Sequence, residues 1–153
     1  MSISSRILFC TLLALSTSAF ARIPVPELTR LESGVRFVDL KTGKGPTPTA
    51  GQGLAITYRA WLYPENKRGA QFDSCENKKR PYVFVPGQGQ AIKGLEEGTQ
   101  GMKVGTKRAI VIPAELAYGK EGATKQNPRT GETIVVIPPD TQLLFEVELT
   151  GVR

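Results

Sequence analysis

Close to the C-terminus, Leu143, Phe145, Val147 and Leu149 occupy alternate positions, with Glu146 and Glu148 between them. A period of two puts the apolar side chains on one face and the carboxylates on the other, which predicts a half-buried β-strand. One strand cannot bury its own apolar face. It needs neighbours to pair with and something to cover it. Leu54, Ile56, Tyr58, Ala60 and Leu62 alternate in the same way over Leu54–Tyr63. Shorter strand-like runs lie at Val35–Val38, at Tyr82 and Phe84, and over Lys107–Ile112. Against these stands a single helix candidate, Ala91–Gln100, in which Ile92 and Leu95 are three apart and share a face. Gly94 and Gly98 weaken it by propensity, so it forms only when packed, and there its glycines permit close backbone approach. The inventory fits an α+β domain: an antiparallel sheet with one short helix on its apolar face.

The 16 glycines and 11 prolines are consistent with a chain of many turns. They concentrate in the turn-rich stretch Thr42–Gly53, while residues 64–71 read as a polar loop. The chain contains no histidine. That excludes a Ser-His-Asp triad and the usual zinc sites, and it leaves any thiol without an imidazole base. No phosphate-binding glycine loop is present. The formal charge of +6 is not arranged as a basic stripe with interleaved aromatics, and Lys78-Lys79-Arg80 reads as a solvated loop. Chemistry without metal, cofactor, nucleotide, nucleic acid or covalent intermediate is expected.

Residues 1–21 read as a secretory signal peptide. Arg6 supplies a positive start, Ile7–Leu15 an apolar run too short to span a bilayer, and Ala19-Phe20-Ala21 a small-x-small cleavage site. Cys10 lacks the small residues that precede a lipidated cysteine. Cleavage would leave 132 residues (153 − 21) with Cys75 as the sole cysteine, so the fold must hold by its core rather than by a disulfide. Residues 22–32 form a short arm with Pro24 and Pro26, and 33–153 form one domain without repeats or an interior linker.

Several strings then fall in a recognisable order: Ser33-Gly34-Val35 with Asp39-Leu40, Tyr58, Phe72-Asp73-Ser74, Ile92-Lys93-Gly94-Leu95-Glu96-Glu97-Gly98, Met102-Lys103-Val104-Gly105, Ala117-Tyr118-Gly119, Ile137-Pro138-Pro139 and Leu143–Leu149. Together they resemble the FKBP-type peptidyl-prolyl isomerases over about Ser33–Val152. The resemblance implies a curved antiparallel sheet wrapped around one short helix, with an apolar pocket between them. It implies that Tyr58, Phe72, Asp73, Ile92, Tyr118 and Phe145 act on the substrate, and that Tyr82, Ala91, Leu95 and Ile137 help to bind it. Read without the family, Tyr58, Phe84, Ile92 and Phe145 would serve equally well as core, and Asp73 as a turn residue. In the family the tyrosine matching Tyr118 and the backbone N–H at Ile92 donate to a ligand carbonyl. Asp73 is expected to bond Tyr58, and the basic residue that supports it falls at Lys78.

The match departs from the family pattern at several places. Leu95 stands where the family often has Trp on the pocket floor, Ala91 replaces a larger aliphatic, and Trp61 lies on the other face of its strand from Tyr58. Gly119 and Ile137 are separated by a long insertion, Lys120–Val136, which reads as a polar, mobile loop that either extends the substrate surface or decorates it. The resemblance implies an isomerase acting on proline-containing exported proteins, with macrolide immunosuppressant-type ligands as further binders. A pocket-retaining binding module or chaperone with little isomerase activity is the alternative, and a partner-binding domain that merely shares the fold is the third reading. A bacterial periplasm is the expected compartment. The 11-residue arm is too short for a helical dimerisation segment, so a monomer is expected, free of the membrane after cleavage.

Overall fold

The computed structural model describes residues 28–153; the predicted signal peptide and the first part of the arm lie outside the described residues. Nine strands and one α-helix follow in chain order. They are β1 (Thr29–Arg30), β2 (Arg36–Lys41), β3 (Leu54–Leu62), β4 (Gln71–Cys75), β5 (Tyr82–Phe84), α1 (Lys93–Gly98), β6 (Lys107–Ile112), β7 (Ala123–Gln126), β8 (Thr133–Ile137) and β9 (Leu143–Val152). One antiparallel sheet runs β1-β2-β6-β9-β3-β4, with β5 also paired to β3, and β7–β8 form a separate hairpin. The end of the arm joins the sheet, since Thr29 pairs with Phe37 and Arg30 with Arg36. No described helix is long and apolar enough to cross a membrane.

The two alternating segments are the central strands. Their pairing sets Ala60 opposite Phe145 and Ile56 opposite Leu149, so the apolar positions of both fall on one face. That face, with Ile110 and Ile112 of β6, Phe84, Met102, Val35 and Leu95, makes the core. β3 is not half-exposed as its pattern predicts: Ala55, Thr57 and Trp61 on its second face are buried too. Trp61 lies beneath two guanidinium groups, Arg68 at 4.4 Å and Arg59 at 5.6 Å from the ring centroid. Long charged side chains thus cover the outer face of the sheet. Glu146 and Glu148 complete that cover through ion pairs to Arg59, Arg68, Lys78 and Lys107.

The helix is shorter than its sequence predicts. Ile92 is extended (φ −64°, ψ 145°) and caps α1 from outside, its carbonyl accepting from the amides of Leu95 and Glu96. Ile92 and Leu95 therefore do not share a helical face. What holds this short helix in place is its contact with β6. A Cβ on Gly94 would lie 2.1 Å from Ile112 Cγ2, and one on Gly98 would lie 2.5 Å from Ile110 Cγ2. Arg108 of β6 ties down the other end, its Nη1 donating to the carbonyls of Gly98 and Gln100 while its Nε and Nη2 bind Asp39. The insertion is likewise not an irregular loop. Thr124 pairs with Val135 and Gln126 with Thr133, and the turn is closed by the Asn127 amide donating to the Glu132 carbonyl and the Gly131 amide to the Asn127 carbonyl.

The glycine contacts give a test whose sign opposes helix propensity. Alanine in place of an exposed helical glycine gains about 1 kcal/mol. Here Gly94→Ala and Gly98→Ala are each expected to lose roughly 1–3 kcal/mol in chemical denaturation, because the methyl group must displace a fully buried isoleucine. A stabilised variant would show that α1 does not pack this closely.

Candidate functional site

The site is assembled at the end of the core where β3, β4, β5 and β9 present aromatic rings. Tyr58 lies 5.7 Å from Phe145 and 5.9 Å from Tyr82, Phe72 lies 6.2 Å from Phe145, and Tyr82 stacks on Phe84 at 5.8 Å. Most of these pairs are tilted or edge-on, the arrangement the ring quadrupole favours. Register explains how residues distant in sequence meet. Ala60 is opposite both Phe145 on β9 and Asp73 on β4. Its small side chain, wholly buried, leaves the space between them to larger neighbours.

Phe72 and Asp73 are consecutive, so a regular strand would send them to opposite faces. The β3–β4 ladder slips between Ala60 and Trp61, leaving Phe72 without a partner in the register. Such a bulge re-aims a side chain. The result is that Phe72 meets Phe145 while Asp73 Oδ2, one residue on, accepts the Tyr58 hydroxyl at 2.8 Å. Asp73 Oδ1 accepts the Ser74 amide. Lys78 does not support Asp73 as the resemblance implies: its ammonium donates to Glu148 Oε1 at 2.8 Å, on the outer face of the sheet.

The remaining site residues divide by exposure. Leu95, Phe145 and Ile137 are almost completely buried and form the floor. Tyr58, Phe72, Tyr82, Ala91 and Ile92 are half-buried and pack against the core cluster to which that floor belongs, as do Ala117, Ala123 and Val136. Tyr118 is the most open, at 39 % exposure. It follows the short 3-10 turn Ala114–Leu116. Its backbone is fixed on both sides, with the Gly119 amide donating to Ala114 O and the Gly122 amide to Tyr118 O. The adjoining Gly119 carbonyl accepts the Asp140 amide.

Hydrogen bonding separates engaged polar groups from free ones. The Tyr58 hydroxyl is committed to Asp73 and the Tyr82 hydroxyl to the Gln90 carbonyl. Among the described residues, neither the Tyr118 hydroxyl nor the Ile92 amide has a protein partner. Ile92 packs against the core cluster that holds Phe145, and Tyr118 is close enough to Asp73 and Tyr82 to feel their charges, so both donors belong to the same end of the core. The loop before Ile92 is braced by its own bonds, Val85 N to Gln90 Oε1 and Gly87 N to Glu96 Oε2. All three phenols are biased toward the protonated form. Burial raises the pKa of Tyr58 well above the usual phenol value, aided by its bond to Asp73 and by that residue's charge. Burial also raises Tyr118, helped by the charges of Asp73 and Tyr82, and raises Tyr82, helped by Glu96. At neutral pH each phenol is therefore a donor, and none is poised as a base.

An aromatic cluster with two donors that have no protein partner, and no nucleophile–base pair among the described residues, can chemically receive a carbonyl-bearing apolar group. The sequence pattern of the FKBP-type peptidyl-prolyl cis-trans isomerases matches residues 45–150. The chain is 39% identical over 119 residues to an FK506-binding protein of Neisseria meningitidis serogroup B, a stretch that is 78% of this chain and 96% of that one. It is also 39% identical over 118 residues to FK506-binding protein 5 of Dictyostelium discoideum, but spans only 7% of that protein's length. Among solved structures, AtFKBP13 superposes with a TM-score of 0.68 at 36% identity, covering 83% of this chain and 99% of that one. A peptidyl-prolyl cis-trans isomerase of Pseudomonas syringae pv. tomato superposes with a TM-score of 0.64 at 32% identity, covering 84% and 83%. The chain belongs to the FKBP-type peptidyl-prolyl cis-trans isomerase family.

The Tyr58–Asp73 bond makes a prediction about alkaline pH. The folded state raises the Tyr58 pKa above its unfolded value of 10.0, so it favours the protonated phenol. The stability from this preference is complete below pH 10.0 and is lost as pH rises through the folded value. Thermal midpoints above pH 10.0 should fall more steeply for wild-type protein than for Tyr58→Phe. Parallel curves would mean that Tyr58 is not held in this way.

Proposed function

We propose that this domain accelerates Xaa-Pro cis-trans isomerisation by binding the twisted amide without covalent chemistry. The observation that carries the reading is the pair of unengaged donors, Tyr118 Oη and Ile92 N–H, at the same end of the core as the Tyr58–Phe72–Phe145 ring cluster. Rotation about a peptide bond is opposed by amide resonance, with a barrier of about 18–20 kcal/mol. Uncatalysed Xaa-Pro exchange takes tens to hundreds of seconds. A catalyst must bind the twisted amide better than either planar form. The twisted amide has lost resonance and is less dipolar, so an apolar floor penalises it less than the planar ground state. The proline ring would rest on Phe72, Phe145 and Tyr58, above Leu95 and Ile137. Donors at Tyr118 and Ile92 would hold carbonyls of the bound chain and fix its orientation. Asp73 keeps the Tyr58 ring in place through its hydroxyl. Tyr82 and Ala91 would complete the wall.

The substrates would be proline-containing segments of unfolded or partly folded proteins, and macrolide immunosuppressant-type ligands would compete for the same floor. The predicted signal peptide supports action on exported proteins, with a bacterial periplasm as the compartment and a monomer as the working form.

A proline-isomerisation assay on short Xaa-Pro peptides tests the reading. Wild-type protein should accelerate exchange. Tyr118→Phe removes one neutral hydrogen bond of about 1 kcal/mol and should lower kcat/KM roughly fivefold. Phe72→Ala, which removes the ring facing Phe145, should lower it on the order of tenfold or more. Wild-type protein that binds peptide without accelerating exchange would instead identify a binding module. Full activity in Phe72→Ala would place the reaction elsewhere.

A further inference from the structure

Lysines collect at the corner of the sheet where β2 ends and β6 begins. Lys41 on β2 lies directly opposite Lys107 on β6 in the register. Like charges so placed repel each other. The loops that follow β2 and precede β6 are laced together. Gly43 N donates to Thr106 Oγ1 at 2.9 Å, Gly45 N to the Val104 carbonyl at 3.0 Å, and Val104 N to the Pro46 carbonyl at 3.0 Å. This lacing brings Lys44 and Lys103 to the same corner. Lys78 reaches it across the outer face of the sheet. Its ammonium lies 2.8 Å from Glu148 Oε1, and that of Lys107 lies 3.6 Å from Glu148 Oε2. All five lysines are exposed.

One carboxylate answers these five cations. Nearby, Glu76 is taken by Arg59, Glu146 by Arg59 and Arg68, and Asp39 by Arg108. Among the described residues no carboxylate pairs with Lys41, Lys44 or Lys103. Charge on an open edge strand blunts that edge, which would account for Lys41 alone. It does not account for Lys107 on an inner strand, nor for Lys44 and Lys103 in the loops. Beside them stands Leu40, 55 % exposed, which shares a groove of about 390 Å³ with Lys78, Lys107 and Glu148.

We propose that this corner is a docking surface for an anionic phospholipid bilayer. Ammonium groups attract diffuse negative charge as points, whereas two-pronged recognition of a single phosphate calls for guanidinium groups, and none of the five is arginine. Single-stranded nucleic acid needs rings on which its bases stack. Tyr118, the one exposed aromatic side chain among the described residues, follows the opposite end of β6. A bilayer offers a broad field of phosphates above acyl chains, which suits several ammonium groups around one protruding leucine. The contact is peripheral and reversible, with no segment crossing the bilayer. The pocket stays open in this pose. From β2 to β4 the sheet order gives four strand spacings of about 4.8 Å, or about 19 Å in all. Exported chains emerge at a membrane face, so docking would hold the pocket beside its clients. The docking itself does not depend on the isomerase reading.

Sedimentation with lipid vesicles tests the proposal. Wild-type protein should bind phosphatidylcholine vesicles that contain about a third phosphatidylglycerol, and should not bind pure phosphatidylcholine. Binding at about 0.1 M salt, where the Debye length is about 10 Å, should be lost at about 1 M, where it is about 3 Å. At about fivefold per lysine, Lys41→Gln/Lys44→Gln/Lys103→Gln should weaken binding on the order of a hundredfold. Lys67→Gln/Lys120→Gln/Lys125→Gln removes the same charge from other faces and should weaken it no more than about threefold. Neither triple variant removes an ion pair, so both should melt as wild-type protein does; Lys44→Gln and Lys103→Gln alone, each expected to cost about fivefold, repeat the comparison with less change to the fold. Leu40→Ser should weaken binding at least about threefold. No binding to the anionic vesicles, or equal losses in the two triple variants, would overturn the docking surface. Tighter binding of polyglutamate or single-stranded DNA than of vesicles, unaffected by Leu40→Ser, would also overturn it, by assigning the corner to a soluble polyanion.

Discussion

The rest of the structure depends on how closely α1 approaches β6. Gly94 and Gly98 lie directly against Ile112 and Ile110, so the helix rests on the sheet with nothing between backbone and isoleucine side chain. A six-residue helix has too few hydrogen bonds to persist alone. Its stability must come from packing, and the two glycines that weaken it as a helix are what allow that packing. Arg108 secures the same junction from β6, bonding the carbonyls at the end of α1 and stacking over Phe37 at 4.0 Å. With α1 seated, Leu95 closes the core from below and Ile92 is left at the helix mouth with its amide unspent.

The site follows from that placement and from one irregularity in the sheet. The bulge at the β3–β4 junction brings Phe72 and Asp73 to the same region, one supplying ring surface and the other fixing Tyr58. The engaged hydroxyls of Tyr58 and Tyr82 stiffen the aromatic walls. The unengaged groups of Tyr118 and Ile92 are free to meet a ligand. This division of polar groups leaves two directed donors, neither of them charged, beside an apolar aromatic cluster.

The central strands were legible because β3 and β9 alternate strictly, and because one apolar face demands a cover. Of the residues in the family strings, Tyr58 and Phe72 meet Phe145 directly, and Asp73 joins them through the Tyr58 hydroxyl. Other features had no local signal. Ile92 looks helical by its spacing to Leu95, yet it caps the helix from an extended conformation. Lys78 lies near Asp73 in sequence, yet strand direction carries it to Glu148. The β7–β8 hairpin does not alternate, because β8 is β-branched on both faces and β7 is polar. Neither strand advertises a buried face, since the hairpin has almost none beyond its base.

The sequence by itself determined that two amphipathic strands must pair, that a glycine-bearing helix must cover them, and that any chemistry would proceed without a histidine. Those conclusions follow from periodicity and composition, which act locally. Only the tertiary structure decided which donors are spent and which remain free, where consecutive residues share a face, and that the long insertion stands as an open-edged hairpin beside the site. These depend on register, on a bulge and on the reach of side chains across the sheet, which no short stretch of sequence contains.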